Sequence, residues 1–184
     1  MSLVSERLKD VRPSHTEFMT ARAAELRDQG GDVITLSQGE PDFDPPSAIC
    51  EAGIRAIRDL QTKYRAIAGI KPLQEAIRKS LRRDYGLGYG IVQITVGCGA
   101  KQVVFNVQRT IVSLDPGDEV VIPTPCWLSY PDMIALAGGK PLLVACDELH
   151  GFKLRSEALE KAITRRTKWL MLNSPCKPTG PVYS

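Results

Sequence analysis

A glycine-rich turn, Gly97–Lys101, is the segment whose residue types most directly suggest chemistry. It follows a β-branched run, Ile91–Val96, and precedes apolar residues at helical spacing from Val103 to Ile111. A strand, a turn and a helix in this order leave backbone N–H groups free at the positive end of the helix, where phosphate binds. We therefore predict a phosphate site here, and a merely tight connecting turn is the alternative.

The spacing around this turn favours a single phosphate over a nucleotide. A Walker loop, G-x-x-x-x-G-K-[ST], is absent, and the dinucleotide pattern G-x-G-x-x-G would need a glycine where Gln102 stands. A dinucleotide site would also require an acidic residue at the end of the next strand, where this chain has Pro123. A nucleotide-binding oxidoreductase is therefore disfavoured.

Two further segments fall where ligands of open α/β sheets collect, at the carboxyl ends of predicted strands. Trp127 comes two residues after Pro125, and a planar cofactor can stack on its indole; a buried core tryptophan is the alternative. Asn173–Gly180 contains two prolines and a glycine, which fix a rigid turn. Turn chemistry alone does not separate a binding loop from a structural one.

The helices that precede these segments are marked by their end signals. Ser14 and Glu17 have the spacing of a capping box, and Pro72 suits a first helical turn. The predicted elements are a helix over 15–29, a short strand over 32–36, a shaped loop over 37–46, a helix over 48–59 capped by Ser47, and a helix from Pro72 to Gly86.

From residue 91 onward, short β-branched runs alternate with helical patterns. The predicted core strands are Ile91–Val96, Glu119–Ile122, Pro141–Ala145 and Lys168–Leu172, with a helix over Ser156–Ile163. Alternation of this kind predicts an α/β fold with a mainly parallel sheet covered on both faces. We expect this sheet to be incomplete, because no helix follows the last strand.

Composition excludes several function classes. The net charge of +3 is small and the basic residues are dispersed, so we expect no nucleic-acid partner. No apolar run reaches the length of a membrane span, and four of the first ten residues are charged where a signal peptide would need an apolar core, which predicts a cytoplasmic protein without a membrane partner. The five cysteines are an odd number without C-x-x-C pairing, so neither a disulfide framework nor a metal site is expected.

Taken in order, these segments resemble the class-I aminotransferases, which are pyridoxal-5′-phosphate enzymes of fold type I, and their aspartate aminotransferase branch in particular. The motif G-E-P-D-F-D-x-P is met by residues 39–46. The remaining matches are Thr62-Lys63-Tyr64, Ala68-Gly69-Ile70, Leu73-Gln74-Glu75-Ala76, Asp115–Val120, Pro125–Pro131, Asn173-Ser174-Pro175 and Pro178-Thr179-Gly180. The resemblance covers nearly the whole chain.

The resemblance implies a role for particular residues. Cofactor-binding roles fall on Gly99, Ala100, Lys101, Trp127, Tyr64 and Lys177, and substrate-binding roles fall on Gly39, Trp127 and Lys177. The glycine turn would hold the cofactor phosphate, Trp127 would stack on the pyridine ring, and Tyr64 would reach the site of a neighbouring subunit. Lys177 stands where the family has asparagine, which changes the charge beside the ring.

The resemblance also implies the architecture and the reaction. Residues 1–46 would form part of a small domain with the substrate loop, and residues 47–184 would be a truncated cofactor-binding large domain. The activity would be transfer of an amino group between an aspartate-like amino acid and a 2-oxo acid through pyridoxal phosphate, in a family of homodimers. The Schiff-base lysine region is expected to be missing, which would leave no catalytic residue and an inactive chain; the alternative is a non-catalytic remnant or phosphate-ligand-binding protein.

Overall fold

A computed structural model of the chain describes residues 8, 14–37, 39, 41–108 and 115–183. These residues fall into two compact units. The described residues between 13 and 97 form one unit, and Leu8 together with the described residues from 98 onward forms the other. None of the helices in this part of the chain is both long enough and apolar enough to span a bilayer.

The N-terminal unit is helical, with α1 at His15–Asp28, α2 at Ser47–Arg58 and α3 at Lys71–Tyr85. The predicted signals are confirmed at two of these helices. The Ser14 hydroxyl accepts a hydrogen bond from the N–H of Glu17 at 3.3 Å, and α3 ends at Gly86 in the left-handed conformation. The prediction that Ser47 caps α2 is wrong, because Pro46 occupies the cap position and Ser47 is already helical.

The two strands predicted in this unit do not form. Residues 32–36 are not assigned to any strand, and Leu36 is exposed. Ile91–Gln93 make one 3-10 turn, after which Gln74 Nε2 donates to the carbonyl of Ile94 at 2.7 Å. A β-branched run has the propensity for a strand, but it becomes one only when a second strand pairs with its backbone. At residue 94 the Gln74 side chain, and not a second strand, pairs with the backbone. Three of the four predicted core strands therefore form.

The C-terminal unit is an α/β layer structure, as predicted. Its strands are β1 at Glu119–Thr124, β2 at Lys140–Ala145 and β3 at Thr167–Leu170, and its helices are α4 at Ala100–Asn106, α5 at Ser129–Ala137 and α6 at Ser156–Ala162. The sheet order is β2-β1-β3, and both strand pairs are parallel. The predicted continuation of α4 as far as Ile111 extends beyond the described residues.

The core of this unit lies where α5 covers the central strand. Val120, Ile122 and Ile134 have no exposed surface, and Ala137 completes their cluster. A central parallel strand is covered on both faces, which explains the uninterrupted apolar run of β1. The buried strand and α5 therefore hold the loop between them, which contains Trp127, at the carboxyl end of the sheet.

Glu119 opens β1 with a carboxylate that is largely shielded from water. The Thr164 hydroxyl donates to its Oε2 at 2.6 Å, and Lys140 Nζ lies 3.5 Å from its Oε1. The hydrogen bond from Thr164 lowers the pKa of Glu119 below its ordinary value of 4.5. A lowered folded-state pKa stabilises the fold above the ordinary value, and this stabilisation is lost as the pH falls through the folded-state pKa.

We therefore expect Glu119→Gln to lower the melting temperature at pH 7 and to flatten its decrease below pH 4.5. The measurement is thermal unfolding of both proteins across this range. Glu148→Gln, at an exposed position in the same unit, is the control and should follow the unmodified chain. If the melting temperatures of Glu119→Gln and the unmodified chain changed with pH in parallel, the lowered pKa of Glu119 would be contradicted.

Candidate functional site

The turn before α4 has a backbone suited to holding an anion. Gly99 occupies the N-cap with φ 88° and ψ 156°, a combination that is essentially restricted to glycine. No side chain caps the first turn of α4, whose N–H groups therefore lack the usual side-chain acceptor. The Gln102 amide oxygen accepts from the N–H of Cys98 at 2.7 Å, which closes the turn from the other side.

Replacing Gly99 by alanine tests this backbone directly. A Cβ at this position would meet no atom within 4 Å, so the expected loss of about 1–3 kcal/mol in the free energy of unfolding comes from backbone strain alone. Gly53→Ala is the matched control, because it also has open space but lies within α2, where alanine is favoured. Urea titration measures both. Equal stability of Gly99→Ala and the unmodified chain would rule out this conformation of residue 99.

Trp127 lies beside the start of α4. Lys101 Nζ is 5.3 Å from the centroid of the half-buried indole, within the range of a cation–π contact. Tyr130 meets the same indole edge-on, with ring centroids 5.2 Å apart. The structure thus brings the predicted phosphate turn and the predicted stacking residue together.

Tyr130 was not singled out from the sequence, although it is the second residue of α5, the helix that follows Trp127. Its phenol is partly buried, and this burial raises its pKa above the ordinary value of 10.0. The two residues are brought together by the turn before α5, in which the N–H of Tyr130 donates to the carbonyl of Trp127 at 3.0 Å. Gln102 was considered only because a dinucleotide motif would have glycine at its position. Its role in closing the turn was therefore also missed.

A small cavity opens at the carboxyl ends of β1 and β3. Its lining consists of Pro123, Pro125, Cys126, Tyr130, Phe152, Met171, Leu172, Asn173, Cys176, Lys177 and Tyr183. The Asn173–Gly180 turn therefore does lie at this edge, with Lys177 exposed. Tyr183 anchors the segment after the turn, because its hydroxyl accepts from the N–H of Leu154 at 2.8 Å.

The remaining predicted site residues are Gly39, Tyr64 and Ala100. Gly39 and Tyr64 belong to the N-terminal unit, and both are exposed. Ala100 is the first residue of α4 and lies between Gly99 and Lys101. The ligand-binding roles of all these residues stay predictions, while the geometry around Lys101 and Trp127 fits a phosphate that carries a flat ring.

Comparison with known proteins gives a consistent assignment. Residues 31–184 match the family model described as aminotransferase class I and II. The chain is 50% identical over 184 residues to an aspartate/prephenate aminotransferase of Cereibacter sphaeroides, covering all of this chain and 46% of the relative. It is 47% identical over 184 residues to a probable aspartate/prephenate aminotransferase of Rickettsia conorii, covering all of this chain and 45% of that relative.

Solved structures agree with the sequence comparison. The aspartate aminotransferase from Rhizobium meliloti superposes with a TM-score of 0.93 at 46% identity, covering 100% of this chain and 46% of that one. The aspartate aminotransferase from Thermus thermophilus with maleate gives 0.94 at 43% identity, covering 100% and 48%. The chain thus spans about half the length of the relatives that it matches.

These findings do not favour the non-catalytic alternative, and they explain the order of the motifs along the chain. The fold is that of the fold-type-I enzymes, whose members depend on pyridoxal 5′-phosphate. With the glycine turn, Lys101 and Trp127 grouped at the carboxyl edge of a parallel sheet, the chain belongs to the class I and II aminotransferases and resembles their aspartate aminotransferase branch.

Proposed function

We propose that this chain provides the phosphate-binding and ring-binding part of a pyridoxal-phosphate-dependent aminotransferase that acts on an aspartate-like amino acid and a 2-oxo acid. The observation that carries the proposal is the position of Lys101 Nζ, 5.3 Å from the centroid of the Trp127 ring and two residues after the Gly99 turn. A phosphate and a flat ring on one ligand require this combination of cation, free N–H groups and aromatic face.

Each residue has a physical task in this proposal. The N–H groups of the first turn of α4 donate to the phosphate oxygens, and the Lys101 ammonium neutralises part of their charge. The Trp127 indole orients the ring and excludes water from one face, while Tyr130 holds the indole in place. Bound pyridoxal phosphate supplies an electron sink that assists bond breaking at the α-carbon of the amino acid.

Lys177 gives the rim of the cavity a positive charge. We propose that this ammonium attracts the carboxylates of the substrate and lies near the ring oxygen of the cofactor, in the role that the family gives to asparagine. The relatives support a dicarboxylate substrate, since they include aspartate/prephenate aminotransferases and an aspartate aminotransferase solved with maleate. Gly39 is proposed to bind the substrate α-carboxylate through its backbone, and Tyr64 is proposed to serve a neighbouring subunit in a homodimer.

The experiment compares pyridoxamine 5′-phosphate with pyridoxamine, because neither carries an aldehyde that would react with surface lysines. Trp169→Phe leaves Trp127 as the only tryptophan, so quenching of its fluorescence reports binding beside it. We expect the phosphorylated ligand to bind at least about tenfold more tightly, a difference of about 1.4 kcal/mol. Excess inorganic phosphate should compete with it.

Circular dichroism of Trp169→Phe serves as the folding control, because Trp169 packs against the core. Equal affinity for the two ligands would overturn the phosphate assignment. Tight binding without any quenching of Trp127 would overturn the ring assignment.

A further inference from the structure

A cysteine follows each strand of the sheet at its carboxyl end. Cys126 comes after β1, Cys146 comes after β2 and Cys176 comes after β3. Cys146 is buried, and its thiol donates to the carbonyl of Val144 at 3.6 Å. Cys126 and Cys176 are only partly buried, line the same cavity and are free thiols.

Cys126 and Cys176 are close neighbours beyond the carboxyl ends of two paired strands. Val121 of β1 pairs with Leu170 of β3, and the two cysteines follow these residues by five and six positions. Because paired strands lie about 4.8 Å apart, chain segments that leave them at the same edge stay close neighbours. The thiol of Cys176 donates to the carbonyl of Pro125 at 3.4 Å, and that carbonyl belongs to the peptide bond that leads into Cys126.

We propose that Cys126 and Cys176 form a dithiol pair that a peroxide oxidises to a reversible disulfide. One thiol reacts with the peroxide to give a sulfenic acid and water; the second thiol then attacks that sulfur, forming the S–S bond and releasing a second water. Two electrons and two hydrogens pass from the thiols to the peroxide. A metal site is the less favoured interpretation of this thiol pair. In the described part of the chain, no group of three metal-ligating side chains occurs.

Burial, and to a smaller extent the neighbouring Cys176, raises the pKa of the Cys126 thiol. Either thiol of the pair can react with the peroxide first, and its partner then attacks the sulfenic acid. The resulting bridge would join the loop that contains Trp127 to the loop that contains Lys177.

The first test treats the whole chain with hydrogen peroxide, alkylates the remaining thiols and digests the product without reduction. We expect a cross-linked peptide that contains Cys126 and Cys176, an intact mass lower by two hydrogens and full reversal by dithiothreitol. The yield should not depend on protein concentration, because the bridge is intramolecular. A cross-link that uses other cysteines, or overoxidation without a bridge, would overturn the proposal.

The second test uses single serine variants and dimedone, which captures sulfenic acids. Each of these variants removes the partner thiol, so Cys126→Ser should accumulate the adduct on Cys176 and Cys176→Ser should accumulate it on Cys126. Cys146→Ser is the matched control and should form the bridge at the normal rate. Absence of the adduct from both Cys126→Ser and Cys176→Ser would contradict the sulfenic acid step. Both tests use the chain without cofactor, so their outcome is independent of the proposed aminotransferase function.

Discussion

Ile134→Ala is expected to lower the free energy of unfolding of the C-terminal unit by about 2–5 kcal/mol. Ile134 has no exposed surface and packs on Val120 and Ile122 of the central strand. Truncation removes buried methyl groups and leaves a cavity that the rigid sheet fills only in part. This substitution has the largest expected effect on stability, because α5 covers the sheet through this side chain.

Urea titration followed by circular dichroism measures the loss as a shift in the unfolding midpoint. Leu149→Ala is the control, since Leu149 is 93% exposed in the same unit and should change stability by less than about 0.5 kcal/mol. An unchanged midpoint for Ile134→Ala would mean that α5 does not pack on β1. A loss equal to that of Leu149→Ala would have the same meaning.

The parts of the fold that were predicted correctly depend on local signals. α3 begins with Pro72 in its first turn and ends at Gly86 because each residue fits its backbone position without help from the rest of the chain. β1 was recognised because an uninterrupted apolar run is typical of a strand buried on both faces. Each of these features depends on a few adjacent residues only.

The errors concern pairing, which is not local. Ile91–Val96 has the composition of a strand, yet the carbonyl of Ile94 pairs with the Gln74 side chain, and the N–H of Val96 donates to Ala68. Ser47 is a good capping residue, but Pro46 takes the cap position, and the helix starts one residue early. In each case the residue type favoured one local structure, but another residue determined the structure that forms. That residue is distant in the chain for Ile94 and adjacent for Ser47.

The candidate site likewise combines features that depend on adjacent residues with contacts that depend on the fold. The Gly97–Lys101 turn indicated phosphate from its own residues, because glycine and a following helix suffice to define such a turn. The contact between Lys101 and Trp127 joins residues on either side of β1, so spacing alone did not predict it; the resemblance to the family implied only that both residues bind one cofactor. The proximity of Cys126 and Cys176 depends on the register of β1 with β3, for which the sequence carries no local signal.

Trp127→Ala is expected to weaken binding of pyridoxamine 5′-phosphate by about tenfold to a hundredfold. Loss of aromatic stacking costs about 0.5–1.5 kcal/mol, and loss of the apolar contact area adds a comparable amount. Isothermal titration calorimetry is the suitable measurement, since the fluorescent residue has been removed. Trp127→Phe retains a flat ring and should recover most of the affinity.

If separate parts of the site bind the phosphate and the ring, Trp127→Ala should leave the contribution of the phosphate to the affinity unchanged. Trp127→Ala should therefore still prefer pyridoxamine 5′-phosphate over pyridoxamine, because the turn at Gly99 and the Lys101 ammonium are unchanged. Loss of this preference together with intact circular dichroism would show that the indole also positions Lys101, which it contacts at 5.3 Å. Unchanged affinity in Trp127→Ala would place the ring elsewhere and remove the basis for assigning this residue to the cofactor.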